Sequence, residues 1–171
     1  MKKYILISSL TLLLAACSSN TETKESESSD TAADTTQFYE YQRAFTKITW
    51  TAYKTTAKIG VSGTFKDFSV TGGVSYGTPT AILDFLEFTI PVSSINSENE
   101  ERDGKIVASF FGSMMNTESI TGRITSVTGN DSGGTCRVLI NMNEIGHEVD
   151  APYVVNGNKI EIDASIHLGD W

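Results

Sequence analysis

The 171-residue chain holds two cysteines, three prolines and two histidines, and its 13 basic residues are outnumbered by 21 acidic ones. Each shortage removes a class of protein. Two cysteines cannot build a disulfide scaffold or a cysteine-rich zinc site. The histidines, His147 and His167, fit no His-Glu-x-x-His spacing, and Glu148 next to His147 points to the opposite face of a strand, so no metal site is expected. A net charge of -8 argues against nucleic acid, whose phosphates require clustered Lys and Arg. No glycine-rich phosphate loop occurs. Asn130-Asp-Ser-Gly-Gly134 repeats the residues around a serine-protease nucleophile, yet neither histidine stands in a matching context, and between two alternating runs it reads as a hairpin loop. The paired acids sit in solvated runs, so no catalytic residue is assigned.

Long apolar runs are also missing. The longest, Ile5 to Leu14, is too short to span a bilayer, and it follows Lys2-Lys3 as the apolar part of a signal peptide. Leu14-Ala-Ala-Cys17 resembles a bacterial lipobox, which implies a signal peptide over 1–16 and a lipidated Cys17 as membrane anchor. The alternative is an ordinary secretory signal with a coincidental cysteine. Residues 17–40 then form an acidic tether, with six acids and only Lys24 as a base after Ser18. The expected location is the cell envelope. Cys136 is left without a partner, in an alternating apolar run, and reads as a small buried hydrophobe.

What remains, 41–171, is patterned for β-structure. Ile48, Trp50 and Ala52 alternate with Thr49, Thr51 and Tyr53; Ile59, Val61, Gly63 and Phe65 repeat the pattern. Gly63 marks a bend or a close approach. Ala81 to Ile90 reads as a strand of ambiguous phase. Ser119 to Thr128, the Cys136-to-Met142 run, the strand bearing His147, Val149, Ala151 and Tyr153, and Ile160 to Leu168 complete about seven strands joined by short turns. Asn156-Gly157 is the strongest hairpin signal. One polar stretch interrupts them. Ser97 and Glu100 have capping-box spacing, Gly104 is expected to end a short helix, and Phe110-Phe111 suit a plug or rim. The whole is an all-β antiparallel barrel or sandwich with a short helical insertion near 97–112, its interior either filled or hollow.

Ile48-Thr-Trp50, Val61-Ser-Gly-Thr-Phe65, and Ile90-Pro-Val-Ser-Ser-Ile95 with Glu101-Arg-Asp103 and Ser109-Phe-Phe111 behind it are similar in order and spacing to the YceI family. The resemblance covers roughly residues 45–171. It implies an exported, lipocalin-like β-barrel binding polyisoprenoid or related amphiphilic lipids, with no enzymatic activity and no cofactor beyond such a lipid. Family members continue past the strand matching Ile160 to Leu168 into a segment that closes the barrel. The expectation here is a barrel lacking its closing strand, whose open edge favours pairing into a homodimer. Strand phase places Trp50, Val61, Phe65, Phe88, Ile124, Val138, Ile140 and Ile162 in the lumen, with Phe110 and Phe111 gating or plugging one end. The rival reading is a filled barrel serving as a cell-surface interaction or adhesion module.

Overall fold

The computed structural model describes residues 37–53 and 59–171. The signal peptide, Cys17 and most of the acidic tether lie outside the described residues. In chain order the strands are β1 (Phe38–Glu40), β2 (Ile48–Tyr53), β3 (Gly60–Phe65), β4 (Ser69–Thr71), β5 (Val74–Tyr76), β6 (Glu87–Pro91) and β7 (Ile95–Asn96). A helix, α1 (Glu100–Lys105), runs directly into a π-helical segment, Ile106–Met114. Then follow β8 (Ser119–Asn130), β9 (Gly133–Met142), β10 (Ile145–Asn156) and β11 (Lys159–Ile162). β1 falls within the stretch that reads as tether, and pairs with β5.

All the pairings are antiparallel, in the orders β11-β10-β9-β8-β6-β4 and β2-β3-β7. The two sheets are continuous in effect. β6 and β7 are one line broken by a turn at Val92–Ser94, just after Pro91, and β3 and β4 break opposite it. The paired breaks are tied by Lys66 N–H donating to the Ser94 carbonyl at 2.8 Å and Ser94 Oγ donating to the Asp67 carbonyl at 2.9 Å. The result is a curled, half-barrel antiparallel sheet of the lipocalin-like kind with one short helix, the fold class the sequence implies.

The long hairpins follow from local chemistry. Asn143 and Glu144, both with positive φ, make the two-residue turn between β9 and β10. Gly157 (φ 62°) and Asn158 turn β10 into β11, so Asn156 is the last paired residue and not part of the turn. Asn130-Asp-Ser-Gly-Gly134 is the β8–β9 hairpin, closed by Ser132 N–H on Asn130 Oδ1 at 2.8 Å. In β8 a bulge at Thr125 shifts the register between Ile124 and Ser126. The bulge resets the alternation, which is why the inward residues run Ile120, Ile124, Val127 and not in steps of two.

Four expectations need correction. Ala81 to Ile90 is not one strand: Thr80–Leu83 is a short 3-10 helix, Phe85 turns with φ 60°, and pairing begins only at Glu87. The helix cap is Asn99, whose side chain accepts Arg102 N–H at 2.9 Å. Ser97 is taken instead by Asp103. Gly104 does not end the helix; the chain passes through it, because Ile106, Val107, Phe110 and Phe111 beyond it gain the core. A glycine costs a helix only about 1 kcal/mol. Finally, the last strand ends at Ile162, although Asp163 N–H still reaches the Pro152 carbonyl.

Candidate functional site

The inner face of the sheet is built from facing strand positions. Phe88 on β6 pairs with Gly122 on β8, Gly122 with Ile140 on β9, and Ile124 with Val138. Across β9 and β10, Cys136 pairs with Ala151 and Val138 with Val149. Over this face the 3-10 turn contributes Leu83, the β6–β7 break Val92, β7 Ile95, and the helical insertion Phe111 and Met115. Together with Met142 and Tyr153 these side chains form one contiguous apolar cluster.

Of the lumen residues read from phase, Ile124, Val138 and Ile140 are buried members of the cluster, and Trp50, Phe65 and Phe88 pack against it half-buried. Phe111 is buried and meets Phe110 edge to face, ring centres 4.9 Å apart, so the aromatic pair packs into the interior from the insertion. Val61 is half-buried outside the cluster. Ile162 is exposed, because among the described residues β11 has β10 on one side and no strand on the other. Cys17 lies outside the described residues.

Two glycines make room for aromatic rings. A Cβ on Gly63 would come within 2.5 Å of the Trp50 ring, and one on Gly122 within 2.4 Å of the Phe88 ring. Gly63 therefore marks a close approach, the indole of its directly paired neighbour lying across it. Phase alone does not reveal Leu83, Val92, Ile95, Met115 or Trp171, which reach the cluster from turns, the insertion or the end of the chain. Met142, Cys136, Ala151 and Tyr153 were in phase and are buried.

The insertion is held by a polar knot. Asp103 accepts hydrogen bonds from both the N–H and Oγ of Ser97, while Arg102 donates Nε to Ser97 Oγ at 2.7 Å and Nη2 to the Ser97 carbonyl at 2.6 Å. The Ser97 hydroxyl first of all, with Arg102 and Lys66 adding charge, holds the Asp103 carboxyl below its ordinary value. Burial pushes the Cys136 thiol up, and its Sγ lies 3.3 Å from the Ala151 carbonyl. Burial likewise raises Tyr153, whose hydroxyl donates to the Asn130 carbonyl. His147 stacks edge to face on Trp171, and Trp171 donates Nε1–H to the Ile140 carbonyl at 3.2 Å. His167 is exposed beside Asp170. A recess of about 200 Å³ lies on the sheet's polar side, lined by Thr71, Glu87, Thr89, Thr121, Arg123 and Asn141 among others. A second, of about 210 Å³, lies between Thr78–Asp84 and Gly129, with Tyr153 in its wall.

The family model for the YceI-like domain matches residues 39–171. The chain belongs to the YceI-like family. That family is associated with binding hydrophobic ligands and is not an enzymatic one. No curated protein matches the chain. Among solved structures, the Campylobacter jejuni YCEI protein that crystallises with large solvent channels is 20% identical, covering 70% of this chain and 68% of that one, TM-score 0.47. Two cysteine mutants of the CJ YCEI protein are each 19% identical with TM-score 0.48. One covers 70% of this chain and 68% of its own. The other, with a monobromobimane guest, covers 72% and 75%. Family membership rests on the domain match. In this YceI-like domain the inner face offers chiefly apolar contact, and the Cys136 thiol, Tyr153 hydroxyl and Trp171 indole N–H are each hydrogen-bonded to a backbone carbonyl.

Proposed function

We propose that this YceI-like protein binds a long-chain amphiphilic lipid, of isoprenoid type, non-covalently at the inner face of its sheet, without catalysis. It does so as an exported lipoprotein held at the cell envelope by Cys17. The carrying observation is the single apolar face onto which Trp50, Phe65, Phe88, Ile124, Val138 and Ile140 converge, roofed by the insertion that bears Phe110 and Phe111. Affinity would come from burying tail area, at roughly 25 cal/mol per Å². Such a ligand takes its place by displacing or parting the roof, since the cluster is packed.

That same packing favours a second reading, a filled barrel serving as a surface interaction module. One experiment separates the two. The chain without its anchor, residues 18–171, is purified natively and its organic extract analysed by mass spectrometry. A stoichiometric long-chain isoprenoid or other lipid is expected. A lipid-free extract from folded protein would favour the interaction module.

A further inference from the structure

Resting on the lipid-binding reading, we infer that Trp50 is a specificity-determining residue and that the ligand carries an uncharged oxygen acceptor (a carbonyl, ether or hydroxyl) at its polar end. The starting point is an orphan. Among the described residues two buried side-chain polar atoms have no hydrogen-bond partner, Trp50 Nε1 and the Tyr41 hydroxyl. Only Trp50 packs against the apolar cluster. Tyr41 lies beside Gly73 and is not among the residues packed against that cluster.

A buried N–H without an acceptor is rare in folded proteins and costly, because it gives up water for nothing. The chain's other tryptophan shows the usual outcome: Trp171, on the same cluster, gives its Nε1–H to the Ile140 carbonyl. Trp50 is pinned by its setting. Its ring lies over Gly63, the only residue type that leaves the indole this space, since any Cβ there would sit 2.5 Å from the ring. The pair is directly opposed in the β2–β3 ladder. A phenylalanine or leucine would fill the same place without an unsatisfied donor, so the N–H is surplus to packing. An acceptor brought by the ligand accounts for it.

The surroundings narrow the acceptor's chemistry. The side chains of the cluster and those packed against it are apolar, and half-buried Arg102 of the insertion gives its Nε and Nη2 to Ser97. A phosphate or carboxylate placed there would be a buried charge facing one neutral donor, which is strongly unfavourable. A neutral oxygen needs only that donor. The end of the lipid that enters deepest among these residues is therefore a neutral oxygen function, and a charged group, if the lipid has one, stays outside.

Two matched probes test this against the purified protein. One is farnesylacetone, a C18 isoprenoid ketone. The other is the hydrocarbon in which a methylene-type carbon replaces its carbonyl oxygen. Wild-type protein is expected to bind the ketone roughly tenfold more tightly, the scale of one buried hydrogen bond. In Trp50→Phe that preference should vanish, read as the ratio of the two affinities and not as either affinity alone. Independently of any variant, the indole N–H proton of Trp50 should move downfield on adding the ketone to ¹⁵N-labelled wild-type protein, and stay within a small fraction of that shift with the hydrocarbon. A preference that survives in Trp50→Phe, or an indole signal indifferent to the carbonyl, overturns the assignment of Trp50 while lipid binding stands. Failure of the wild type to bind either probe overturns both readings.

Discussion

At the scale of single residues, the inner face depends on what two glycines leave out. Gly122 is buried on β8 with the Phe88 ring above it, and an added Cβ would meet that ring at 2.4 Å and the Leu139 carbonyl oxygen at 2.7 Å. The ring can swing aside but the backbone oxygen cannot. Gly122→Ala is therefore expected to destabilise the fold by about 1–3 kcal/mol, the usual scale of overpacking, measured as a lowered urea midpoint at unchanged m-value. An unchanged midpoint would show that the ring is not held there. The sequence marked Gly63 as a bend or close approach because it interrupts an alternating strand, and it is the latter. Nothing local distinguishes Gly122 from a loop glycine, because its aromatic cover comes from Phe88, 34 positions away along the chain. Cys136 was legible as a buried hydrophobe from alternation alone. That it is fully enclosed, with its thiol pushed up by burial, is a consequence of pairing with Ala151.

At the scale of elements, the insertion from α1 through Ile106–Met114 shows how polar and apolar determinants divide the work. Its start is set by Asn99 and by Asp103 reaching back to Ser97; its end by residues that must enter the core. A π-helix gives up the better hydrogen-bond geometry of an α-helix and is uncommon over nine residues. Here the wider turn accompanies the burial of Phe111 and Met115 on one side while Met114 stays exposed. The Asp103 knot gives this element a pH dependence. Because the folded-state carboxyl titrates below its ordinary value near 3.8, its contribution is present at neutral pH and is lost as pH falls below about 4 and through the folded value. Asp103→Asn should lower stability at pH 7 and flatten that part of the acid dependence, read from urea midpoints between pH 7 and pH 3. Parallel pH profiles for the two proteins would refute the role. The sequence marked an interruption at the right place and put the cap two residues early. Ser97-x-x-Glu100 and Asn99-x-Glu-Arg102 are equally good local signals, and the choice fell to the knot. The 3-10 turn at Thr80–Leu83 was missed because Ala-Ile-Leu reads as strand until Leu83 is seen to fill the core.

At the scale of the whole molecule, the proposed anchor at Cys17 can be tested directly. If Cys17 carries the anchor, replacing it by Ser should move the exported protein from the membrane pellet to the soluble fraction. Continued sedimentation with membranes would show that something other than Cys17 holds it there. Among the described residues the β2 strand, Ile48-Thr-Trp-Thr-Ala-Tyr53, is an edge with neither charge nor proline within it, whereas β11 alternates Lys159 and Glu161 with its isoleucines. Taken alone, the sequence determined the all-β antiparallel class, the hairpin positions, the site of the insertion and most of the inward faces. Alternation and turn chemistry are local, and they report which side of a strand is apolar. Only the tertiary structure decided which apolar side chains meet. Ile162 has the right phase and is exposed because, among the described residues, β11 has a strand on one side only. Leu83, Val92, Met115 and Trp171 have no strand phase and reach the core through turns, the insertion and the chain's return. Trp50's unsatisfied N–H likewise cannot be read from a strand pattern, because a donor is orphaned only by the acceptors that folding fails to bring within its reach.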